Sequence, residues 1–207
     1  LWSVPNFSCS SVMQQMPGLL PILATCMDKQ LKLARKSWQL RGQNRPRGAV
    51  EPGPGQESVW DYPRPPVIVD DQRLVQVKLN DMLIAETQAA RRVLETASPP
   101  TFYLPPDSIQ CDCLRAESGS SFCEWKGRAS YFSVCVGEHC VERAAWTYPD
   151  PFAEFLTIKD YLAFYPGRVD CYVDGQRVSA QAGGFYGGWI TDEIVGPFKG
   201  ESGTSGW

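Results

Sequence analysis

Leu74-Val75-Gln76-Val77-Lys78-Leu79-Asn80-Asp81-Met82-Leu83-Ile84-Ala85-Glu86 decides the fold class. Its first half alternates apolar and polar residues, the period of a half-buried strand. Asn80-Asp81 supplies a turn, and Met82 to Glu86 returns as a second strand. Such a hairpin implies antiparallel sheet. The same plan recurs downstream. Arg128 to Val136 reads as a strand, Gly137-Glu138-His139 as its turn and Cys140 to Trp146 as its return.

The segments around the hairpins match too. Val77-Lys78-Leu79-Asn80-Asp81 parallels Val134-Cys135-Val136-Gly137-Glu138, and Thr101-Phe102-Tyr103-Leu104-Pro105 parallels Leu162-Ala163-Phe164-Tyr165-Pro166. Trp-x-Tyr-Pro-x-Pro occurs twice, at Trp60 and Trp146. Between hairpin and next strand, Gln88 to Thr96 reads as a short helix with Thr87 as its N-cap, ended by Ser98-Pro99-Pro100. Cys111 to Phe122 reads as a loop, and Pro151 to Lys159 as a polar connection with room for a short helix. Cys171 to Val178 forms a last hairpin with Asp174-Gly175 as its turn. The Gly-rich tail from Gly196 to Trp207 is expected to run along the surface. The expectation is a mainly β (α+β) domain over residues 56–207: a compact antiparallel two-sheet fold, with a weak internal repeat and one or two short helices.

Residues 1–55 differ in character. Residues 1–50 carry seven Lys or Arg and a single acid, Asp28, a balance of +6. The remainder carries 13 Lys or Arg and 22 Asp or Glu, a balance of −9. An acidic body argues against nucleic acid as the main partner, which demands a basic face. The start at Leu1 rather than Met suggests a fragment or processed product. Leu19 to Cys26 is apolar but too short to span a bilayer, so no membrane partner is expected. The basic run from Lys29 can form a short amphipathic helix as far as Arg41. It fits either an organelle transit peptide or a solvated extension. Asn6-Phe7-Ser8 is formally a glycosylation acceptor without further support. Gly48 to Gln56 alternates Gly and Pro as a linker does.

Eight cysteines appear, at 9, 26, 111, 113, 123, 135, 140 and 171, and none makes a C-x-x-C pair. The expectation is mostly free thiols in an intracellular reducing compartment: cytoplasm, or organelle stroma or matrix if the leader is a transit peptide. Cys135 and Cys171 fall in apolar strand-like runs, where Cys acts as a small hydrophobe. His139 is the only histidine and sits in a polar turn, which removes the Ser/His and Cys/His templates. No metal and no cofactor is expected.

Gly183-Gly184-Phe185-Tyr186-Gly187-Gly188-Trp189 is the other distinctive run. Glycines let a ring or a ligand approach the backbone closely. The run is either a structural lid or one wall of a cleft. It is not a phosphate loop, since the Lys-Ser/Thr and the helix that should follow are missing. Polar residues on stiff, Pro-fixed backbone are the candidates for chemistry. They are Asp61, Arg64, Glu95, Lys126, Asp150, Arg168, Asp170 and Lys199. Arg64 and Asp150 occupy the same place in the two Trp-x-Tyr-Pro-x-Pro copies and can pair across the halves. Arg64, Lys126 and Arg168 can instead converge on an anion. Lys126, beside rings, is either a desolvated nucleophile or base, or a snorkelling lysine. Asp150 and Asp170 can form a carboxylate pair. Tyr148-Pro149 is an aromatic–Pro bond, a type open to cis.

Several motifs in order resemble one known family. Glu57-Ser58-Val59-Trp60-Asp61-Tyr62-Pro63-Arg64-Pro65-Pro66, Val93-Leu94-Glu95-Thr96, Trp125-Lys126-Gly127, Ala144 to Pro151, Phe164 to Asp170 and Gly183 to Trp189 resemble the domain of unknown function (DUF) family 427. The resemblance covers about residues 57–207. It implies a β-rich domain of the Mss4-like or β-tent type, similar in shape to methionine-R-sulfoxide reductases and small zinc-binding chaperone-like domains. That wider group uses two C-x-x-C knuckles for zinc, which this chain lacks. The family is also labelled nucleotidyltransferase-like, and no paired-Asp motif after Gly-Ser stands here to match.

The reading that follows is a small-ligand-binding domain, with catalysis left open as an added role. Trp60, Trp146, Tyr148, Tyr186 and Trp189 would wall the cleft, with Glu95 beside them. Arg64, Lys126 and Arg168 would select an anionic group, and Lys126, Asp150 and Asp170 are the catalytic candidates. One alternative is a protein-interaction or structural module, with the rings as core or homodimer seam. Another is a thiol redox enzyme that pairs Cys123 with Cys111 or Cys113 at a Cα separation of about 4.4–6.8 Å.

Overall fold

The computed structural model describes residues 29–36, 45–204 and 207. The chain divides into two compact units, 1–37 and 38–207. In the first, residues 29–36 are helical, within the segment whose basic amphipathic pattern predicts a helix. The expectations for Asn6, Cys9, the apolar run at 19–26 and residues 37–41 lie outside the described residues. No helix among the described residues is long and apolar enough to cross a membrane.

In the second unit, β1 (Glu57–Ser58) and β2 (Val67–Asp71) precede the hairpin of β3 (Val75–Leu79) and β4 (Met82–Thr87). Val75, Val77 and Leu79 are buried while Gln76 and Lys78 are half-exposed, so the period of two is realised. Asn80 and Asp81 have φ of 51° and 62°. Two positive φ values make the type I′ turn, whose twist matches that of its strands.

The helix expected over 88–96 does not form. Ala90–Glu95 is β5, the central strand between β2 and β6 (Ser98–Tyr103). Helix propensity is a weak prior, and here tertiary pairing overrides it. Ala90 and Val93 are buried, and Arg91 and Arg92 reach Asp70, Asp71 and Glu57. Thr87 does accept a backbone N–H, from Ala89 at 3.0 Å, but it closes a turn rather than a helix. Pro99 and Pro100 lie inside β6, which tolerates them because it is an edge strand.

The loop expected over 111–122 is largely strand as well. After a single 3-10 turn at Cys111–Cys113, β7 (Leu114–Cys123) pairs with β8 (Gly127–Val136). Its polar, solvent-facing sequence hides it from pattern reading, and its register shifts between Ala116 and Ser120, where Gly119 takes φ +87°. β9 (His139–Pro151) and β10 (Leu162–Phe164) complete this sheet in the order β10-β9-β8-β7. A 3-10 helix at Ala153–Ile158 fills the connection between them.

β11 (Asp170–Val173) and β12 (Gln176–Arg177) form the last hairpin, with Asp174 and Gly175 at φ 47° and 80°. β11 pairs with β3, which gives the sheet β12-β11-β3-β4. β13 (Ser179–Ala180) pairs with β14 (Trp189–Ile190), and β15 (Ile194–Val195) runs parallel to β1. The two hairpins thus seed separate antiparallel sheets, while β5 and β6 join β2 in a third. Leu104 and Leu162, from the two parallel segments, exchange backbone hydrogen bonds of 2.8 and 2.9 Å.

Three apolar clusters fill the interior. One lies between the β3–β4–β11 strands and the β8–β9–β10 strands and includes Val77, Ile84, Val134, Phe164 and Trp189. The second gathers Trp146, Tyr148, Tyr103 and Phe155. In the third, Val59, Trp60 and Tyr62 meet Phe198 and Trp207 from the tail. The tail is therefore a strap rather than a surface run. Trp207 packs edge-on against Trp60 at 4.8 Å, and the Lys199 N–H donates to the Ala97 carbonyl at 2.7 Å. The linker segment is docked too: the Val50 N–H donates to the Gly196 carbonyl at 2.9 Å.

Cys135 is not a lone small hydrophobe. It stands opposite Cys140 in the β8–β9 register and forms a disulfide with it. Cys111, Cys113, Cys123 and Cys171 are free thiols. The cis bonds among the described residues are Arg64–Pro65 and Gly196–Pro197, so Tyr148–Pro149 is trans.

Candidate functional site

The Gly-rich run packs onto β9. A Cβ at Gly187 would stand 2.1 Å from Trp146 Cη2, so only glycine lets the indole approach that backbone so closely. A Cβ at Gly188 would stand 2.3 Å from Gln181 Oε1 and 2.9 Å from the Pro99 carbonyl. The Gln181 side chain pins the run from both sides. Its Oε1 accepts from the Gly188 N–H at 3.1 Å, and its Nε2 donates to the Lys199 carbonyl at 2.8 Å.

Under this run lies a cavity of about 300 Å³, within the size range of small-molecule sites. β9 contributes Trp146 and Tyr148, which share a face because they are two residues apart on a strand. Tyr131 of β8 stands opposite Trp146 in the ladder, and Tyr165 lies 4.4 Å from the indole between ring centroids. Tyr103 closes the end of β6 and meets Trp146 edge-on at 6.3 Å. Tyr186 comes from the Gly-rich run, and Phe122 and Phe185 stand exposed at the rim.

Charged groups enter between the rings. Lys126 precedes β8 and is buried, with 9% exposure. Its ammonium lies 6.0 Å from the Tyr148 ring and 5.8 Å from the Phe155 ring. Among the described residues it makes no hydrogen bond or ion pair. Burial works to lower the Lys126 pKa, but the field of Cys123, Tyr103, Glu95 and Glu124 outweighs it and holds the group protonated above its ordinary range. Lys199 Nζ sits 5.3 Å from the Tyr186 ring, and burial pulls its pKa below the ordinary lysine value. Burial pushes the Tyr103 phenol up to about 12 and Tyr148 well above its usual range, so both remain neutral hydroxyls at pH 7.

Glu95 lines the cavity and accepts from Arg64 at 2.7 Å. The pair is deeply placed, with side-chain exposures of 17% and 1%. This replaces the expected Arg64–Asp150 pair. Asp150 is exposed and faces Arg128 in the β8–β9 ladder. Asp170 stands in another sheet, on β11, and pairs with Arg177. The two carboxylates therefore do not share an environment. No group of three His, Cys, Asp or Glu side chains suited to a metal occurs among the described residues.

Of the expected cleft residues, Glu95, Lys126, Trp146, Tyr148 and Tyr186 line the cavity. Arg64 stands behind Glu95. Arg168 does not line it; its guanidinium carbon stands 5.6 Å from the Tyr165 ring centroid, and it donates to the Glu142 carbonyl. Trp60 and Trp189 are core residues. The Trp60 Nε1–H donates to the Pro197 carbonyl, and Trp189 stacks on Phe102 at 4.8 Å while donating to the Phe164 carbonyl. Pattern reading missed Tyr103 and Tyr165, although both stand within or beside strand ends punctuated by Pro.

The redox pairing has no geometry. Cys111 and Cys113 precede β7 and Cys123 ends it, so the strand, which spans the seven steps from Gly127 to Val134 on its partner, separates them by roughly 20 Å or more. A disulfide needs Cα atoms within about 7 Å. Cys123 remains a free thiol in the cavity wall.

A family model for a domain of unknown function, DUF427, matches residues 67–175. The chain belongs to the DUF427 family. The matched span runs from β2 to the β11–β12 turn and carries Glu95, Tyr103, Lys126, Trp146 and Tyr148, whereas Tyr186 and Lys199 lie beyond it. This DUF427 chain thus completes its cavity with a segment outside the matched region. No curated protein sequence matches the chain.

Proposed function

We propose that this DUF427 domain binds a small anionic molecule with a flat ring in the cavity beneath the Gly-rich run. One observation supports the reading: the Lys126 ammonium lines the cavity, held charged by its acidic surroundings, and among the described residues makes no hydrogen bond or ion pair. A ligand carboxylate or phosphate would give it a direct partner. The rings of Trp146, Tyr148 and Tyr186 supply stacking area, and the neutral hydroxyls of Tyr103 and Tyr148 supply donors. Of the expected anion-gripping trio Lys126 alone lines the cavity, with Lys199 standing where Arg64 and Arg168 were expected. Lys126 serves this reading as a fixed cation, not as a nucleophile.

A thermal-shift and tryptophan-fluorescence screen with carboxylates, phosphosugars and nucleotides at constant ionic strength tests it. At least one anion should stabilise the protein, by about 2.7 kcal/mol at a hundred times its Kd. Lys126→Met should lose about 1.5–3 kcal/mol of that affinity, the worth of a charge-assisted hydrogen bond. Without ligand the variant should be somewhat less stable than the parent, because the folded site favours the charged amine. If no anion stabilises the parent, or one stabilises the variant equally, the reading is wrong. The runner-up, a protein-contact module, draws on Phe185 and Phe122, exposed by 63% and 50% at the rim. Self-association that Phe185→Ser abolishes would favour it.

A further inference from the structure

Of the described free thiols, Cys123 stands in the wall of the aromatic cavity; Cys111 is exposed elsewhere, and Cys113 and Cys171 are buried. Cys123 ends β7, an edge strand, and is half-buried, so a solute can reach its sulfur. It pairs with Gly127 across a three-residue turn, Glu124-Trp125-Lys126. The turn is anchored: the Phe152 N–H donates to the Lys126 carbonyl at 3.3 Å, and Gly127 closes it at φ +98°. Ser121, two residues earlier on the same strand face, bonds the Tyr131 hydroxyl at 2.6 Å and fixes that edge of the wall. A thiol alone marks nothing, and what sets this one apart is Lys126. That side chain is nine-tenths buried, lines the same cavity and makes no hydrogen bond or ion pair among the described residues. A nucleophilic sulfur and an ammonium thus enter one cavity from either side of one short turn.

We propose that Cys123 is a thiolation site, at which the protein forms a mixed disulfide with a small disulfide whose carboxylate pairs with Lys126. The proposal rests on the anion-binding reading, because Lys126 supplies the grip. The disulfide is the oxidant, and the step balances. The Cys123 thiol gives its proton to solvent, and its sulfur attacks one sulfur of the disulfide. A new S–S bond forms as the old one breaks. The electron pair leaves on the other half, which takes up a proton and departs as a thiol. The cavity, about 300 Å³, is at the small end of ligand sites, which suits the half that stays. Cys111 and Cys113 stand beyond the far end of β7. No described thiol can therefore displace the bound group, which stays until a thiol from outside attacks it.

The test uses the full chain with two reagents: dithiobis(nitrobenzoate), a ring disulfide with carboxylates, and dithiodipyridine, a neutral ring disulfide. Peptide mapping after a limiting dose locates the label. The ratio of Cys123 to Cys111 labelling should be about tenfold or more higher with the carboxylate reagent, because a charge-assisted bond to Lys126 holds that reagent alone. Lys126→Met should erase this preference and leave labelling of Cys123 by dithiodipyridine in place. Nitrobenzoate, which has the ring and the carboxylate but no sulfur, should slow the carboxylate reagent at Cys123 and not at Cys111, a readout that needs no variant. Equal ratios with the two reagents, while nitrobenzoate still stabilises the protein in a thermal shift, overturn the thiolation site and leave the binding reading intact. Equal ratios together with no stabilisation by any anion of the screen overturn both. A preference that survives Lys126→Met overturns the role given to the ammonium.

Discussion

Gly187→Ala is the most direct test of how the cavity is walled. The added methyl carbon would stand 2.1 Å from Trp146 Cη2, 2.7 Å from Cζ3 and 3.1 Å from Cζ2. Carbon atoms normally meet at about 3.5–4.0 Å, so more than an ångström of displacement is required. Trp146 cannot supply it cheaply: it is buried, with Tyr165 at 4.4 Å and Tyr103 at 6.3 Å between ring centroids. Overpacking of this kind costs about 1–3 kcal/mol. For a domain of this size that is a Tm loss of about 2–12 °C. Gly184→Ala is the control. Its Cβ would meet nothing within 4 Å, but its φ is +66°, so it carries backbone strain alone, about 1 kcal/mol. Differential scanning fluorimetry ranks the two, and tryptophan fluorescence reports the Trp146 environment. Gly187→Ala should cost more stability and shift the emission, while Gly184→Ala should leave the emission unchanged. A Gly187→Ala protein with Tm within about 1 °C of the parent and unaltered emission would refute the packing of the run onto the indole.

Two other perturbations read the framework around the site. Arg64→Met removes the partner of Glu95 and leaves a carboxylate in a largely buried position, which should cost about 3–5 kcal/mol by urea denaturation; a loss under about 1 kcal/mol would mean that the pair behaves like an exposed one. Burial alone would raise the Asp71 pKa, but its hydrogen bonds from Arg73 and the nearby Arg92 overcome this and hold the carboxyl below its ordinary range. A depressed carboxyl stabilises the fold above its unfolded pKa, about 3.9, and that contribution is lost as pH falls through the folded value. Acidification from pH 5 to pH 3 should therefore lower the denaturation midpoint less in Asp71→Asn than in the parent; equal losses would remove Asp71 from the account.

The alternating run at 74–86 is legible because a strand with one wet face must alternate, and the Asn-Asp and Asp-Gly pairs are legible because few other residues accept the φ values of a type I′ turn. Gly187 is legible as a site of close approach, since no other residue leaves room for a ring on the backbone. The motifs also carried the family. Tertiary structure decided the rest. Ala90–Glu95 has the composition of a helix, yet strands on both sides of it outweigh a few tenths of a kcal/mol per residue of propensity. β7 is polar because it pairs at a sheet edge, so no alternation announces it. Which charges face one another is a matter of distances between segments far apart in sequence. Arg64 found Glu95 rather than Asp150, and Lys199 reached the cavity only because the tail is strapped across Trp60 and Ala97. Local sequence sets backbone preference and pattern, while the convergence of side chains depends on how the sheets stack, which no short stretch encodes alone.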